Sequence, residues 1–240
     1  MNIESMKITK HIHEYTLPDK EGGILKIHIQ CPHIEDKSAP AVKINRYYEK
    51  KTKRALSYYT KSAARLKKRI SKHGQEDIKD LYPGSISITF EENCQNGSIL
   101  SILSCIEARR GEDTEKRYFS ENWDISSGRM LLLGDFADST YSFRREMENQ
   151  MVSGLEKLCP GGKKLRKFVR GHFSSDNIYF KDGRMYVYFQ PEDMAPVMKE
   201  CLQSYEKVEE ALGRFLDICL DKGSKDNMTV LLVPLKQMYE

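Results

Sequence analysis

Cysteines and histidines are the residues best able to hold a metal or attack a substrate, and this chain has six of each. Cys31, Cys94, Cys105, Cys159, Cys201 and Cys219 are scattered and never form a Cys-x-x-Cys pair. Cys31, Cys105 and Cys219 stand in apolar settings, where a free thiol packs as a small hydrophobe. Reduced, buried thiols are therefore expected in preference to disulfides or a zinc site. His11 and His13 alternate along a strand pattern and His28 stands alone on another, so none is paired at helical ligand spacing. Gly161-Gly162-Lys163-Lys164 invites a phosphate-loop reading, but the Gly-x-x-x-x-Gly-Lys-Ser/Thr pattern is incomplete. No cofactor is expected.

The elements that must position any chemistry are well punctuated. Residues 118–136 hold the single tryptophan, Trp123, a turn at Ser126-Ser127-Gly128 and an apolar run at 130–133. Asp135 and Asp138 then open what reads as a helix. Strand, tight turn, buried strand and helix start follow within about twenty residues. No residue of this block is an obvious nucleophile beside a base.

Upstream, residues 6–15 and 24–31 read as paired strands. Leu25, Ile27, Ile29 and Cys31 alternate with Lys26, His28 and Gln30, as in a sheet with one wet face. Residues 38–73 form a long helix, with Val42, Tyr48, Ala55, Tyr59, Ala63, Leu66 and Ile70 as its apolar stripe. Residues 85–91 and 99–108 make a second hairpin across Asn96-Gly97. The run 109–116 reads as a charged connector. A helix from Asp138 or Ser139 to Cys159 and a short basic helix over 163–171 follow. The third hairpin, 177–181 with 184–190, turns at Asp182-Gly183. A helix over 204–222 and a buried strand over 228–235 close the chain. With no repeat or low-complexity linker, residues 1–240 are expected to form one α+β unit. Its parts are an N-terminal half (1–115), a C-terminal half (116–200) and a helix–strand tail (201–240).

A formal charge of +4 is mildly basic, short of what a nucleic-acid-binding domain usually carries. The long helix nevertheless crowds Lys43, Arg46, Lys50, Lys51, Lys53, Arg54, Lys61, Arg65, Lys67, Lys68, Arg69 and Lys72 around Glu49. Interleaved tyrosines and basic residues would suit RNA or an acidic protein surface, but charge runs of this kind more commonly solvate an outer face. No window approaches the ~18 apolar residues of a membrane span. The first residues lack the pattern of a secretory signal, so a cytoplasmic location is expected.

Taken in order, the motifs carry a resemblance. The helix beginning near Ile44-Asn45-Arg46-Tyr47-Tyr48, the run Asn122-x-Asp124…Gly128…Leu133-x-Asp135-Phe136, and Phe173…Asn177-Ile178-Tyr179-Phe180-Lys181-Asp182-Gly183…Tyr188-Phe189…Ala195-Pro196 succeed one another. Over roughly residues 5 to 196 the chain resembles a domain family of unknown function. That domain forms the extracytoplasmic part of RsiV-type anti-sigma factors and also precedes some peptidoglycan deacetylases. The resemblance implies an α+β fold, antiparallel strands against a long N-terminal helix and further C-terminal helices. It also implies a non-catalytic sensing or protein-binding role, with the muramidase lysozyme as partner of the anti-sigma members. Asn122, Trp123, Asp124, Gly128, Asp135, Asp182 and Gly183 then read as structural, shaping turns and caps. The glycine- and histidine-rich run that family members carry before Asn-x-Asp is replaced here by Arg109-Arg110-Gly111-Glu112-Asp113.

A second resemblance covers only the end. Residues 216–233, with the string Gly223-Ser224-Lys225-Asp226-Asn227-Met228-Thr229-Val230, are similar to the last helix and strand of PP2C-type metal-dependent Ser/Thr phosphatases. That family's pattern implies a metal ligand at Asp226. A hard divalent cation needs several oxygen ligands from distant segments. The Asp-Gly-His-Gly-Gly motif is missing, and Asp124, Asp135, Asp138 and Asp176 do not replace it. A non-catalytic binding protein is thus the expectation, with a phosphatase or its degenerate relative, or RNA binding through the basic helix, as alternatives.

Overall fold

In a computed structural model of the chain, residues 7–18, 24–73, 84–96, 98–111, 113–136, 140–158, 163–181 and 184–194 are described. The chain divides into two compact units, Met1–Phe143 with Phe173–Pro191, and Arg144–His172 with Glu192–Glu240.

The first unit is an α+β structure built on a six-stranded sheet in the order β1-β2-β3-β4-β5-β6. Strands β1 (Ile8–Pro18) and β2 (Ile24–Ile34) pair antiparallel along their whole length. Helix α1 (Ala39–His73) packs on β2 and carries the chain to β3 (Ser85–Asn96), which runs parallel to β2 with Ile27 opposite Ile86. A parallel pair needs such a crossover, since no tight turn can join its strands. The sheet is therefore mixed, where an antiparallel one was expected. Strands β4 (Ile99–Arg110), β5 (Asp113–Asp124) and β6 (Arg129–Leu131) continue it as antiparallel neighbours.

The run expected to be a charged connector is instead the far end of the β4–β5 hairpin, with Arg110 opposite Asp113. Its charges face partners: Lys116 and Arg109 reach Glu107, and Arg110 and Arg117 reach Glu115. Cross-strand ion pairs let a stretch with no apolar alternation stay in the sheet.

One face of the sheet meets α1. Cys31, Phe90, Leu100, Ile102 and Trp123 pack there with Ala41, Ile44 and Tyr48. The inward stripe of the first helical turns is Ala41, Ile44, Asn45 and Tyr48, while Val42 is exposed. Sequence periodicity missed this phase because Asn45 is polar. Buried, its amide donates to the Ile34 carbonyl at 2.9 Å and accepts from the Ile34 N–H at 2.8 Å, closing the last residue of β2. The opposite face carries the short hairpin β7 (Ile178–Lys181) and β8 (Arg184–Val187), with β7 lying over β3, β4 and β5.

In the second unit the described residues are those of α2 (Thr140–Leu158) from Arg144 onward, α3 (Lys163–His172) and residues 192–194. Val152, Leu155, Leu165 and Val169 are buried. Glu148 pairs with Arg144 on its own helix and with Arg170 on α3. No helix among the described residues is long and apolar enough to cross a membrane.

Candidate functional site

The 118–136 block lies at the end of the sheet, and each of its polar residues already has a task. Asp124 closes the β5–β6 turn, accepting from the Ser126 N–H at 3.0 Å and from the Ser126 and Ser127 hydroxyls at 2.7 and 2.6 Å. Those donors hold its carboxyl below the ordinary aspartate range. Gly128 takes φ +62°, and a Cβ there would stand 2.9 Å from the backbone of Pro40. Asp135 accepts from the Leu132 N–H at 2.7 Å and from Arg129 at 2.7 Å, which lowers its pKa in that order. It pins a 3-10 turn, Leu133–Phe136. Trp123 donates its indole N–H to the Tyr48 hydroxyl at 3.0 Å, with Tyr47 edge-on at 4.9 Å between ring centres.

Asn122 does more than shape a turn. It is buried, donates to the Ile178 carbonyl at 2.9 Å and accepts from the Ser101 hydroxyl at 2.8 Å. Ser101 in turn accepts from the Phe180 N–H at 2.9 Å. This buried relay fastens β7 to the middle of the sheet, where unpaired groups would be costly.

Beside it a cleft of about 250 Å³ opens along β5, lined by Tyr47, Phe119, Ser120, Glu121, Leu132 and Tyr188 among others. On the side facing α1 it is lined by Tyr47 and, from β5, Glu121. Glu121 is 6% exposed, and one carboxylate oxygen, Oε1, pairs with the Lys51 ammonium. Its other oxygen, Oε2, has no donor in good alignment, although the Tyr47 hydroxyl also hydrogen-bonds the Glu121 carboxylate. Lys51 also sits 5.9 Å above the Phe119 ring. Burial first, and the nearby Glu121 charge second, push the Tyr47 phenol up to about 12. The same two causes hold buried Tyr48 well above the ordinary tyrosine value. Both phenols are neutral at physiological pH and act as hydrogen-bonding groups. On the opposite wall, Ser120 donates to the Asp176 carbonyl at 2.9 Å and meets the Tyr188 hydroxyl at 3.1 Å.

The other residues singled out in the sequence fall elsewhere. Asp138, Asp182, Gly183 and Asp226 lie outside the described residues, as do the tail helix and strand. Cys31 and Cys105 are free thiols, and burial raises both, which keeps them protonated and poor nucleophiles. His11 stacks on its cross-strand neighbour His33 at 4.1 Å, and His28 faces Glu14. Among the described residues no three of His, Cys, Asp or Glu come together as a metal site. Sequence reasoning passed over Glu121 and treated Lys51 as one of many solvated lysines. The available signal was phase: Glu121 stands two residues before Trp123, on the face that must meet α1.

This fold has solved relatives. It is similar to a DUF3298 family protein from Bacteroides fragilis, with a TM-score of 0.53 at 12% identity over 85% of this chain and 100% of that one. A DUF3298 family protein from Pseudomonas aeruginosa aligns with a TM-score of 0.47 at 14% identity over 82% of this chain and 94% of that one. No family model matches the chain, and no curated protein matches it. At 12% identity the DUF3298 likeness shows the fold alone: a mixed sheet with a long helix.

Proposed function

We propose that this chain is a non-catalytic protein-recognition domain of the RsiV-like kind, and that its partner is engaged at the β5 cleft. The observation that carries the reading is how the polar groups are used. Asn122, Asp124 and Asp135 spend their oxygens on neighbouring backbone, hydroxyl and guanidinium groups. The cleft next to them has exposed Phe119 and Leu132 on its lining and a buried Glu121 whose Oε2 has no donor in good alignment. Chemistry needs free, activated groups, whereas recognition needs unfilled hydrogen-bond capacity beside apolar surface. A muramidase is one partner class consistent with the RsiV-like resemblance.

The test is site-directed crosslinking in the cells that carry the chain. A photoreactive residue in place of Leu132 should give one discrete protein adduct, and the same residue in place of Tyr58, also exposed, should not. No adduct from position 132, or the same adducts from both positions, would count against the proposal. Purified lysozyme offered to the Leu132 probe checks the muramidase version directly.

A further inference from the structure

Strand β1 stands at the edge of the six-stranded sheet, and among the described residues β2 is the strand that pairs with it. The Lys7 carbonyl accepts from the Glu35 N–H at 3.0 Å, in the same register that sets Ile8 opposite Ile34. Along an antiparallel pair, opposed residues alternate between exchanging main-chain bonds and turning those groups away. Thr9, His11, His13 and Tyr15 therefore bond β2, while Ile8, Lys10, Ile12, Glu14 and Thr16 present their N–H and carbonyl groups to the open side. Among the described residues no backbone group takes these up. Edge strands are ordinarily blunted by a proline, a bulge or a covering element. Over residues 8–16 the register of β1 never shifts, and its proline comes only at Pro18. The charges of this stretch, Lys10 and Glu14, are opposite in sign and stand two residues either side of Ile12, which is 58% exposed. Period two places all three side chains on one face.

We propose that β1 pairs antiparallel with β1 of a second copy of this chain, about a two-fold axis through Ile12. A two-fold contact needs a self-complementary segment, and this one qualifies. Ile12 meets the second copy's Ile12, Lys10 meets Glu14, Glu14 meets Lys10, and Ile8 and Thr16 meet outside them. All belong to the outward set, so each opposed pair exchanges both of its main-chain bonds. Other registers do worse. Centring on His11 sets Ile12 against Lys10, and centring on His13 sets it against Glu14. Centring on Lys10 or Glu14 opposes like charges, which is destabilising. The contacts these charges already make leave room for the new ones. Glu14 reaches His28, its opposite neighbour on β2, at 3.3 Å, yet its side chain is 76% exposed. Lys10 lies over the Phe90 ring, 5.5 Å from its centre, a contact that uses none of its donors. The area is that of one strand edge, so the dimer belongs to the weak, reversible class.

The experiment is sedimentation equilibrium of the full chain at low salt, from micromolar to near-millimolar concentration, beside three variants of β1. The native chain should follow a reversible monomer–dimer equilibrium. Glu14→Lys and Lys10→Glu each oppose like charges at both cross-strand contacts, and each should weaken the dimer at least about tenfold. The double variant, Lys10→Glu with Glu14→Lys, restores opposite signs and should dimerise about as well as the native chain. An equal mixture of the two single variants should associate where neither does alone. All of these changes fall on exposed side chains, so the fold survives them and the comparison stands. A chain that is monomeric throughout overturns the dimer, whether another segment of the chain or a different protein's strand takes the edge. A dimer indifferent to the single swaps overturns it too, as do losses that neither the double variant nor the mixture repairs.

Discussion

At the scale of single residues, the surprise is how little of the polar motif is available for chemistry. Asn122 ties two sheet layers through Ser101 and Ile178. Asn122→Ala strands both partners in a buried setting, so a loss of about 2–4 kcal/mol is expected in urea unfolding, summing two unmet groups. Recovery of most of that loss by Asn122→Ser would show that the site only needs any hydroxyl, which the relay geometry does not predict. Asp135 carries a pH signature. Its folded-state pKa lies below the ordinary 3.8, first through the Leu132 N–H and then through Arg129. A depressed carboxyl contributes stability that is full above the unfolded value and is lost as pH falls through the folded one. Asp135→Asn should therefore flatten the fall in thermal midpoint on going below about pH 4, and leave the slope between pH 6 and 8 unchanged. A slope that stays steep in the variant would show that Asp135 is not the group responsible.

Among the elements, the β5–β6 turn and its contact with α1 form the joint on which the cleft depends. Gly128 occupies the left-handed region within reach of Pro40, where any Cβ meets backbone that cannot rotate away. Gly128→Ala is expected to cost about 1–3 kcal/mol, combining an unfavourable φ with the clash, and thermal melts check it. Much of this scale was legible in the sequence. The 35-residue helix, the hairpin at residues 96–99 and the hairpin at residues 178–187 follow from apolar periodicity and turn residues. The parallel pairing of β2 with β3 was not legible, since pairing partners separated by a whole helix leave no local trace. Residues 109–116 were misread because ion pairs across strands, and not alternating apolar side chains, hold them. The candidate site was harder still. Glu121 looks like any strand glutamate until Lys51, seventy residues earlier in the chain, is brought against it. Gln190 shows nothing of its bond to Tyr118 until β8 is folded back over the sheet.

For the whole molecule, a fold like that of a DUF3298 family protein is held together by the polar residues of the motif, and the recognition proposed above is assigned to the cleft beside them. The phosphatase-like tail offers a check at this scale. The chain is expected to show no manganese-dependent phosphoester hydrolysis, and Asp226→Ala to change nothing. Hydrolysis abolished by that substitution would make the tail part of an active site. The central claim is that the β5 cleft binds a protein partner. The most direct measurement is calorimetric titration of the crosslinked partner, once purified, against the native chain and against Leu132→Trp. Blocking the cleft should weaken the affinity at least about tenfold, as expected for a contact at the centre of an interface. An affinity unchanged by Leu132→Trp would place the partner elsewhere and contradict the account.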